Sequence, residues 1–200
     1  MSRRRIRRAS LLVSLLALCA CATPANLRYH TLTATSPPGT TAAGAVAEYR
    51  VAIGPVSVPE AIDRPQVVLR VAPTRYAIAD AERWSAPLKR EIPRVIAEDV
   101  GRRLPAARVA ANFQYGGQDA DYRVWIDVQR FESVPGESIT LEAAWSVHNR
   151  AGARLHDARS LFVEKVTAPG VAPLVAAHET ALAALAREIA ATLSALAAAK

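Results

Sequence analysis

The sequence predicts a single α/β or α+β domain, in which a mixed, mostly antiparallel sheet of about five to seven strands is packed by two main helices. Three observations predict this class. Apolar and polar residues alternate over residues 120–134 and 138–149, as in half-buried strands. Apolar residues recur about every four positions over 84–104, and a similar helical stripe runs through 173–200. The length of 200 residues and the 51% hydrophobic content suit one domain with its own core.

The first predicted strands lie near the N-terminus of the mature chain. Residues 29–32 are β-prone, and the segment 33–47 that follows is rich in Pro, Gly, Thr and Ala, which predicts a loop. Residues 49–58 alternate between apolar and polar around a break at Gly54-Pro55. This pattern predicts a strand with a bulge or bend.

A hairpin and the first helix are predicted next. The β-prone runs 67–71 and 75–78 are separated by a short Pro-containing segment that suits a turn. The apolar stripe over 84–104 then predicts an amphipathic helix. Pro87 fits the first turn of this helix. Pro93 is expected to kink or split it, because proline removes a backbone hydrogen bond and clashes with the preceding turn.

The second half of the chain is predicted to contain four more strands and a second helix. The strands cover residues 107–110, 120–134, 138–149 and 158–166. Turns at 135–136 and 150–152 join the last three, which predicts an antiparallel meander. The helix over 173–200 is predicted to cover the core rather than to cross a membrane, because three charged residues interrupt its apolar run.

The basic charge of the chain belongs mainly to its N-terminal segment. The formal net charge is +7, from 25 basic and 18 acidic residues, and five of the basic residues are arginines within residues 3–8. Without residues 1–20 the balance is 20 basic against 18 acidic residues, or +2. Basic pairs elsewhere have acidic neighbours and no interleaved aromatic residues, so the sequence does not predict a nucleic-acid partner.

Residues 1–20 are predicted to be a signal peptide. Residues 1–8 carry the arginines, and residues 9–20 form an uncharged run of 12 residues. A helix that spans a bilayer needs about 20 residues, so this run is too short for a membrane span. Positive charge before a short apolar run indicates a secretory signal rather than a buried N-terminal helix. The arginine pair after Ser2 is a weak twin-arginine pattern, and we expect general secretion.

The end of the apolar run resembles a bacterial lipobox, with Leu18, Ala20 and Cys21 in the characteristic positions. Cys19 is a poorer candidate for lipidation, because the large residue Leu18 directly precedes it. Cys21 is therefore the predicted lipidation site and the first mature residue. We expect three acyl chains to hold the protein in a membrane, since stable anchoring takes more than one chain. Residues 21–48 then form a lipidated tether with a short β stretch and a Pro/Gly-rich loop.

Catalytic signatures are missing from the sequence. It contains no G-x-S-x-G, P-loop or G-x-G-x-x-G motif. His178-Glu179 begins like a zinc-protease helix, but Leu182 stands where the second histidine is required. The histidines, which show no metal-ligand spacing, are His30, His148, His156 and His178. We therefore expect no enzymatic activity, cofactor or metal, and we interpret the histidines as surface or hydrogen-bonded residues.

Two segments resemble a known family of lipoproteins. Residues 49–68 (YRVAIGPVSVPEAIDRPQVV) and 83–88 (RWSAPL) are similar to the G-P-V, D-R-P-Q and R-W-x-x-P-L motifs of the PqiC/YmbA family, with Ser85 in place of the usual alanine. These proteins are auxiliary lipoproteins of ABC-type transport systems, and the resemblance assigns residues 49–200 to that domain. The motif residues are Gly54, Pro55, Pro59, Asp63, Arg64, Pro65, Gln66, Arg83, Trp84 and Pro87.

The resemblance implies a non-enzymatic lipoprotein subunit of an MCE-type system for intermembrane lipid transport and envelope integrity. The implied partners are the membrane, through the acyl chains, and a periplasm-spanning MCE-domain protein of the PqiB type. The resemblance leaves open whether the protein also forms a homo-oligomer. No acidic residue follows Cys21 directly, which by the family rule implies the periplasmic face of the outer membrane. Two alternatives are a lipoprotein that itself binds a small apolar ligand or cell-wall component, and an envelope hydrolase.

The motif residues have both a structural and a functional interpretation. In the structural one, Gly54-Pro55 bends a strand, Asp63 and Pro65 shape a turn, and Trp84 anchors the helix against the sheet. In the functional one, the loop 59–66 faces a partner, because arginine and tryptophan are enriched at interface hot spots.

Substitution Cys21→Ser is expected to abolish acylation and to release the protein from the membrane into the periplasm, because the thiol that carries the lipid is lost. Metabolic labelling with a radioactive fatty acid and membrane fractionation measure this. An acylated variant that still sediments with membranes would contradict the assignment of Cys21.

Overall fold

The structure is a computed structural model that describes residues 26–37, 49–112 and 119–199. The predicted signal peptide, Cys21 and most of the predicted loop 33–47 lie outside the described residues. The strands in the described part are β1 (Arg28–His30), β2 (Tyr49–Ser57), β3 (Gln66–Ala72), β4 (Arg75–Trp84), β5 (Ala107–Ala111), β6 (Tyr122–Val134), β7 (Ser138–Asn149) and β8 (Arg154–Lys165). The helices are α1 (Leu88–Arg103) and α2 (Ala172–Ala198), and a 3₁₀ turn covers Glu60–Ile62.

The strands form two mixed sheets, and the fold is α+β, which confirms the predicted class. The larger sheet has the order β5-β2-β6-β7-β8, and the smaller one has the order β1-β4-β3. Strands β6, β7 and β8 form the predicted antiparallel meander. Strand β2 runs parallel to both β5 and β6, and β1 runs parallel to β4. The division into two sheets was not predicted, because alternation identifies strands but not their partners.

The core lies between the five-stranded sheet and the two helices. Helix α1 packs on β2 and β5, helix α2 packs on β6, β7 and β8, and the helices contact each other. As predicted, alternate residues of β6 and β7 face this core. These residues are at most 4% exposed, and they are Tyr122, Val124, Ile126, Val128, Ile139, Leu141, Ala143, Trp145 and Val147. Burial of such apolar surface is the main force that stabilises the fold.

Helix α1 begins at Leu88, four residues later than predicted. Trp84 instead ends strand β4, where it pairs with His30 of β1. The prediction placed it in the helix because Trp84 stands four residues before Leu88 and so continues the apolar stripe. The predicted split at Pro93 is also absent: α1 runs unbroken through this residue. Pro93 is buried beside Ile92, so packing against the core offsets the hydrogen bond that proline removes.

Helix α2 is long and apolar enough to cross a membrane, by length and composition alone. In the structure one side of it covers the sheet instead. The leucines and isoleucine of its apolar stripe that are fully buried are Leu174, Leu182, Leu185, Ile189 and Leu193. The prediction of a core-covering helix is therefore confirmed.

Residues 31–36, which we call the strap, lie against both helices without regular secondary structure. Charged side chains of the helices bind the backbone of the strap. Glu91 of α1 accepts hydrogen bonds from Thr31 Oγ1 (2.8 Å) and from the amide of Leu32 (3.2 Å). Asp99, which is fully buried, accepts one from the amide of Ser36 (2.7 Å), and Arg102 donates to the carbonyl of Ser36 (2.8 Å).

The carboxylate of Glu91 is ionised in this setting. Burial by itself raises the pKa of the carboxyl, but hydrogen bonds from Arg94 and Thr31 outweigh burial and hold the pKa below its ordinary value. Hydrogen bonds to a charged group are stronger than those between neutral groups. The strap is therefore held by charge-assisted bonds rather than by a strand ladder.

Substitution Glu91→Ala is expected to lower the free energy of unfolding by about 2 kcal/mol, because it removes charge-assisted bonds to the strap. It should also expose the strap to proteases. Urea unfolding and limited proteolysis with mass spectrometry measure the two effects. The matched control is Glu137→Ala, since the Glu137 side chain is exposed in the turn between β6 and β7 and bonds no residue of the strap in the described structure. Equal losses in the two variants would contradict the role of Glu91.

Candidate partner-binding groove

The two motif segments meet in one groove of about 280 Å³. It is lined by Asp63, Arg64, Pro65, Trp84, Ser85, Ala86 and Pro87. The β3–β4 hairpin brings these segments together, because its open end joins the start of β3 to the end of β4. The amide of Trp84 donates to the carbonyl of Pro65 (2.7 Å). This hydrogen bond extends the pairing of β3 and β4 to the edge of the groove.

The loop on one side of the groove takes its shape from backbone hydrogen bonds. The amides of Asp63 and Arg64 donate to the carbonyls of Glu60 (3.2 Å) and Ile62 (2.8 Å). The Asp63 carboxylate pairs with Lys89 Nζ (2.6 Å) in the first turn of α1. The structural interpretation of the sequence had Asp63 shaping a turn, in which its carboxylate would accept hydrogen bonds from backbone amides. Both side chains are partly exposed, so this pair adds only about 0–1 kcal/mol. It serves mainly to hold the loop near the helix.

Trp84 forms the apolar floor of the groove and joins it to the core. Its side chain is 7% exposed, and its ring meets the edge of Phe131 at a centroid distance of 6.3 Å. Trp84 therefore anchors the three-stranded sheet to the core, whereas the sequence suggested that it anchors the helix. Pro87 on the opposite wall is the N-cap of α1, and its carbonyl accepts the amides of Arg90 and Glu91.

The two motif arginines differ in their surroundings. Arg64 is exposed at the rim of the groove, and its guanidinium has no hydrogen-bond partner within the described part of the chain. Arg83 lies beside the groove on β4, opposite Gln66 of β3. Its Nε is buried and has no partner among the described residues. Arg64 is thus the motif cation that a partner could reach directly.

The other motif residues lie outside the groove. Gly54 has a φ of +114°, in the region that favours glycine, and an added Cβ would lie 3.2 Å from the Cβ of Asn112. The ladder between β2 and β6 shifts register between Ile53 and Val56, which confirms the predicted bulge. The carbonyl of Pro59 accepts the amide of Ile62 in the 3₁₀ turn. These observations give Gly54 and Pro59 structural roles.

A larger cavity of about 490 Å³ lies elsewhere, beside β2, β6, β7 and β8. Pro55 lines it, together with Trp125, Asp127, Arg154 and Asp157. Trp125 is 45% exposed and stacks on His148 at a centroid distance of 4.2 Å. The alternation over residues 120–134 puts Trp125 on the face of β6 that also carries polar residues, but it did not identify Trp125 as a binding residue. The feature of the sequence that could have indicated the site is this aromatic residue on a strand face that is otherwise polar.

A serine and a histidine meet in the core, but they are sealed from solvent. Ser133 Oγ and His178 Nε2 lie 2.9 Å apart, and the residues are 4% and 1% exposed. The His178 ring stacks on Phe131 at 3.7 Å. Its Nδ1 has no partner in the described residues, so an orienting acid is lacking there. Burial lowers the pKa of His178 to about 3, and the ring is neutral at pH 7.

The remaining histidines also have structural neighbours. His30 bonds Glu82 (2.6 Å), His148 bonds Ser146 (2.9 Å), and His156 lies near the ring of Trp145. Over residues 26–37, 49–112 and 119–199 the structure groups no three His, Cys, Asp or Glu residues in a way that could hold a metal ion.

Comparison with known proteins identifies the fold and the family. Residues 30–190 match the family model described as "ABC-type transport auxiliary lipoprotein component". A crystal structure of an uncharacterised protein has a TM-score of 0.66 and 18% identity, over 82% of this chain and 99% of the other. A Xanthomonas campestris protein of the DUF330 family gives the same TM-score and identity, over 82% and 92% of the two chains.

More distant similarity extends to a putative lipoprotein from Caulobacter crescentus. It is 22% identical, with a TM-score of 0.41, over 52% of this chain and 82% of the other. Among the curated proteins no match was found.

The buried His178 makes the stability depend on pH. The unfolded chain takes up a proton below about pH 6.5, whereas the folded chain resists protonation down to about pH 3. The free energy of unfolding should therefore fall, as the pH drops below 6.5, by up to about 1.4 kcal/mol per pH unit. Urea titrations at pH 7, 6 and 5 should show this loss in the wild type and much less of it in His178→Gln. The control is His156→Gln, at a half-buried position. Parallel curves for the wild type and His178→Gln would contradict the prediction.

Proposed function

The chain belongs to the family of ABC-type transport auxiliary lipoprotein components, and we propose that it is a non-enzymatic accessory subunit of an MCE-type lipid transport system. In this proposal Cys21 carries the acyl chains, and the protein resides on the periplasmic face of the outer membrane. The folded domain binds the periplasm-spanning MCE-domain protein. The groove between residues 63–65 and 84–87 is the binding surface.

One observation carries the choice of surface. Two motif segments, separated in the chain by the 18 residues between Pro65 and Trp84, meet in one concave site with an apolar floor and a cationic rim. Trp84 and Pro65 supply the apolar part, and Arg64 supplies a charge that no described residue neutralises. Interface hot spots are enriched in tryptophan and arginine and lie in such pockets.

The lipid anchor supports binding by restricting where the domain can move. A protein held at one membrane meets a partner that reaches this membrane at a much higher effective concentration than a free protein would. A groove of modest affinity is then sufficient. The proposal of a non-enzymatic role is supported by the family description, which names a transport component.

A second function is favoured by the cavity at Trp125. An exposed tryptophan beside Asp127, Asp157 and Arg154 has the apolar and polar groups of a ligand site. The protein could thus hold a small ligand or cell-wall fragment by itself. Native mass spectrometry of the purified protein tests this function. A stoichiometric ligand that is lost in Trp125→Ala would favour it over partner docking.

Substitution Arg64→Glu is expected to weaken binding of the MCE-domain partner about tenfold or more, because it reverses the charge at the rim of the proposed surface. The melting temperature should change little, since the Arg64 guanidinium bonds no residue in the described part of the chain. Affinity capture from detergent-solubilised envelopes, followed by titration with the captured MCE protein, measures the effect.

Arg108→Glu is the matched control, because Arg108 is exposed on β5, away from the groove. It should bind the partner like the wild type. Two results would count against the proposal: capture of no MCE-domain protein by the intact lipoprotein, and equal weakening in the two variants. A large fall in the melting temperature of Arg64→Glu would instead favour a structural role for the loop.

A further inference from the structure

Exposed apolar side chains concentrate on the three-stranded sheet. Among the described residues, nine large hydrophobic side chains are exposed, and five of them lie on this sheet or directly before it. The five are Leu27, Tyr29, Val71, Tyr76 and Ile78. Val71 and Tyr76 lie close to the turn of the β3–β4 hairpin, and Ile78 lies two residues beyond Tyr76 along β4, opposite Val68. We call these three residues, together with Arg75, the hairpin tip.

The chain enters the domain from the same side as the hairpin tip. Strand β1 runs parallel to β4, with Arg28 opposite Glu82 and His30 opposite Trp84. The start of β1 therefore points toward the start of β4, where Arg75 follows the hairpin turn. Leu27, directly before β1, therefore lies on the side of β1 that is nearer the hairpin tip, and the groove lies at the opposite end of the sheet.

The chain between Cys21 and Leu27 has a reach similar to the length of the hairpin. Cys21 and Leu27 are six positions apart, and six residue steps can span at most about 22 Å. Continuing the register of β1, Leu27 is level with Ala81 of β4, six residues from Arg75 and so about 20 Å from the tip along the strand. A chain of this length is long enough for the acyl chains at Cys21 to reach a bilayer surface that the hairpin tip also touches.

The hairpin is fixed to the rest of the domain. Glu132 of β6 accepts hydrogen bonds from Arg70 Nη1 (3.0 Å) and from the hydroxyl of Tyr76 (2.9 Å). Arg130 also donates to Glu132 (2.8 Å). Burial raises the pKa of the Glu132 carboxyl, but the bonds from Arg130 and Tyr76 outweigh burial, and the net shift is downward. The ionised Glu132 thus joins the two sheets and holds the hairpin in place.

We propose that the hairpin tip contacts the lipid bilayer surface, so that the domain touches the membrane directly in addition to its lipid anchor. Val71, Tyr76 and Ile78 supply apolar and amphipathic groups of the kind that enter the interfacial region of a bilayer. Arg75 is exposed and has no bonded partner among the described residues, so its charge complements anionic headgroups. This inference rests on acylation of Cys21, which is part of the proposed function.

Lipid-borne quenchers test the contact. Ile78→Cys and, as a second hairpin position, Val71→Cys are labelled with a polarity-sensitive fluorophore in the acylated mature chain. The control is Val163→Cys on β8, where Val163 is 58% exposed against 47% for Ile78. The proteins are reconstituted in vesicles of phosphatidylethanolamine and phosphatidylglycerol that carry a nitroxide lipid. Quenching should be several-fold stronger at the hairpin positions than at position 163.

Labelling of the wild type separates failure of the anchor from failure of the contact. The acylated mature chain offers no other thiol, because Cys19 leaves with the signal peptide, so it should take no dye. Dye uptake at Cys21 would overturn the acylation and with it both proposals. Absent or equal quenching at positions 78 and 163 in an acylated protein would overturn the bilayer contact alone. A blue shift of the fluorophore emission at position 78 in the absence of vesicles, growing with protein concentration, would also overturn the bilayer contact. It would mean that a second copy of the protein covers the hairpin.

Discussion

The attachment of the N-terminal segment to the domain by buried carboxylates determines where the proposed lipid anchor would join the fold. Glu82 binds Arg28 and His30 in β1, Glu91 binds the start of the strap, and Asp99 binds its end. Buried carboxylates are costly unless they are hydrogen-bonded. The strap supplies donors to two of these groups, so releasing it would remove hydrogen bonds from buried carboxyl groups. Strand β1 and the strap are therefore held in fixed positions on the domain, and the chain that follows Cys21 joins the domain at a fixed point.

The sequence predicted those parts of the fold that local periodicity specifies. Alternation identified β6 and β7, and the stripe of α2 predicted which of its leucines are buried. The same reasoning extended α1 back to Trp84, because a strand that ends four residues before a helix can continue the helical stripe by coincidence. The roles of Glu91 and Asp99 could not be predicted in this way. Their partners lie about 60 residues away in the chain, and a contact at that distance leaves no periodic pattern.

The motif residues also show how structural and functional roles divide within one surface. The resemblance grouped ten residues, and the structure brings Asp63, Arg64, Pro65, Trp84 and Pro87 together in one groove. Most of this group stabilises the fold: Trp84 packs on the core, Pro87 begins α1, and Asp63 holds the loop to the helix. The side chain of Arg64 has no such role. A change at Arg64 therefore tests binding with little effect on folding, whereas a change at Trp84 would combine the two effects.

The geometry of the three-stranded sheet relates the two proposed surfaces. The hairpin tip and the groove lie at opposite ends of β4, whose ten residues span about 30 Å. If the tip contacts the bilayer, the groove faces away from it, toward a partner that crosses the periplasm. Glu132 fixes the hairpin, and Glu82 fixes β1 to the same sheet. The sheet then acts as a rigid spacer between membrane and partner. Acyl chains alone could not set this orientation, because a lipidated tether restricts distance but leaves the domain free to rotate.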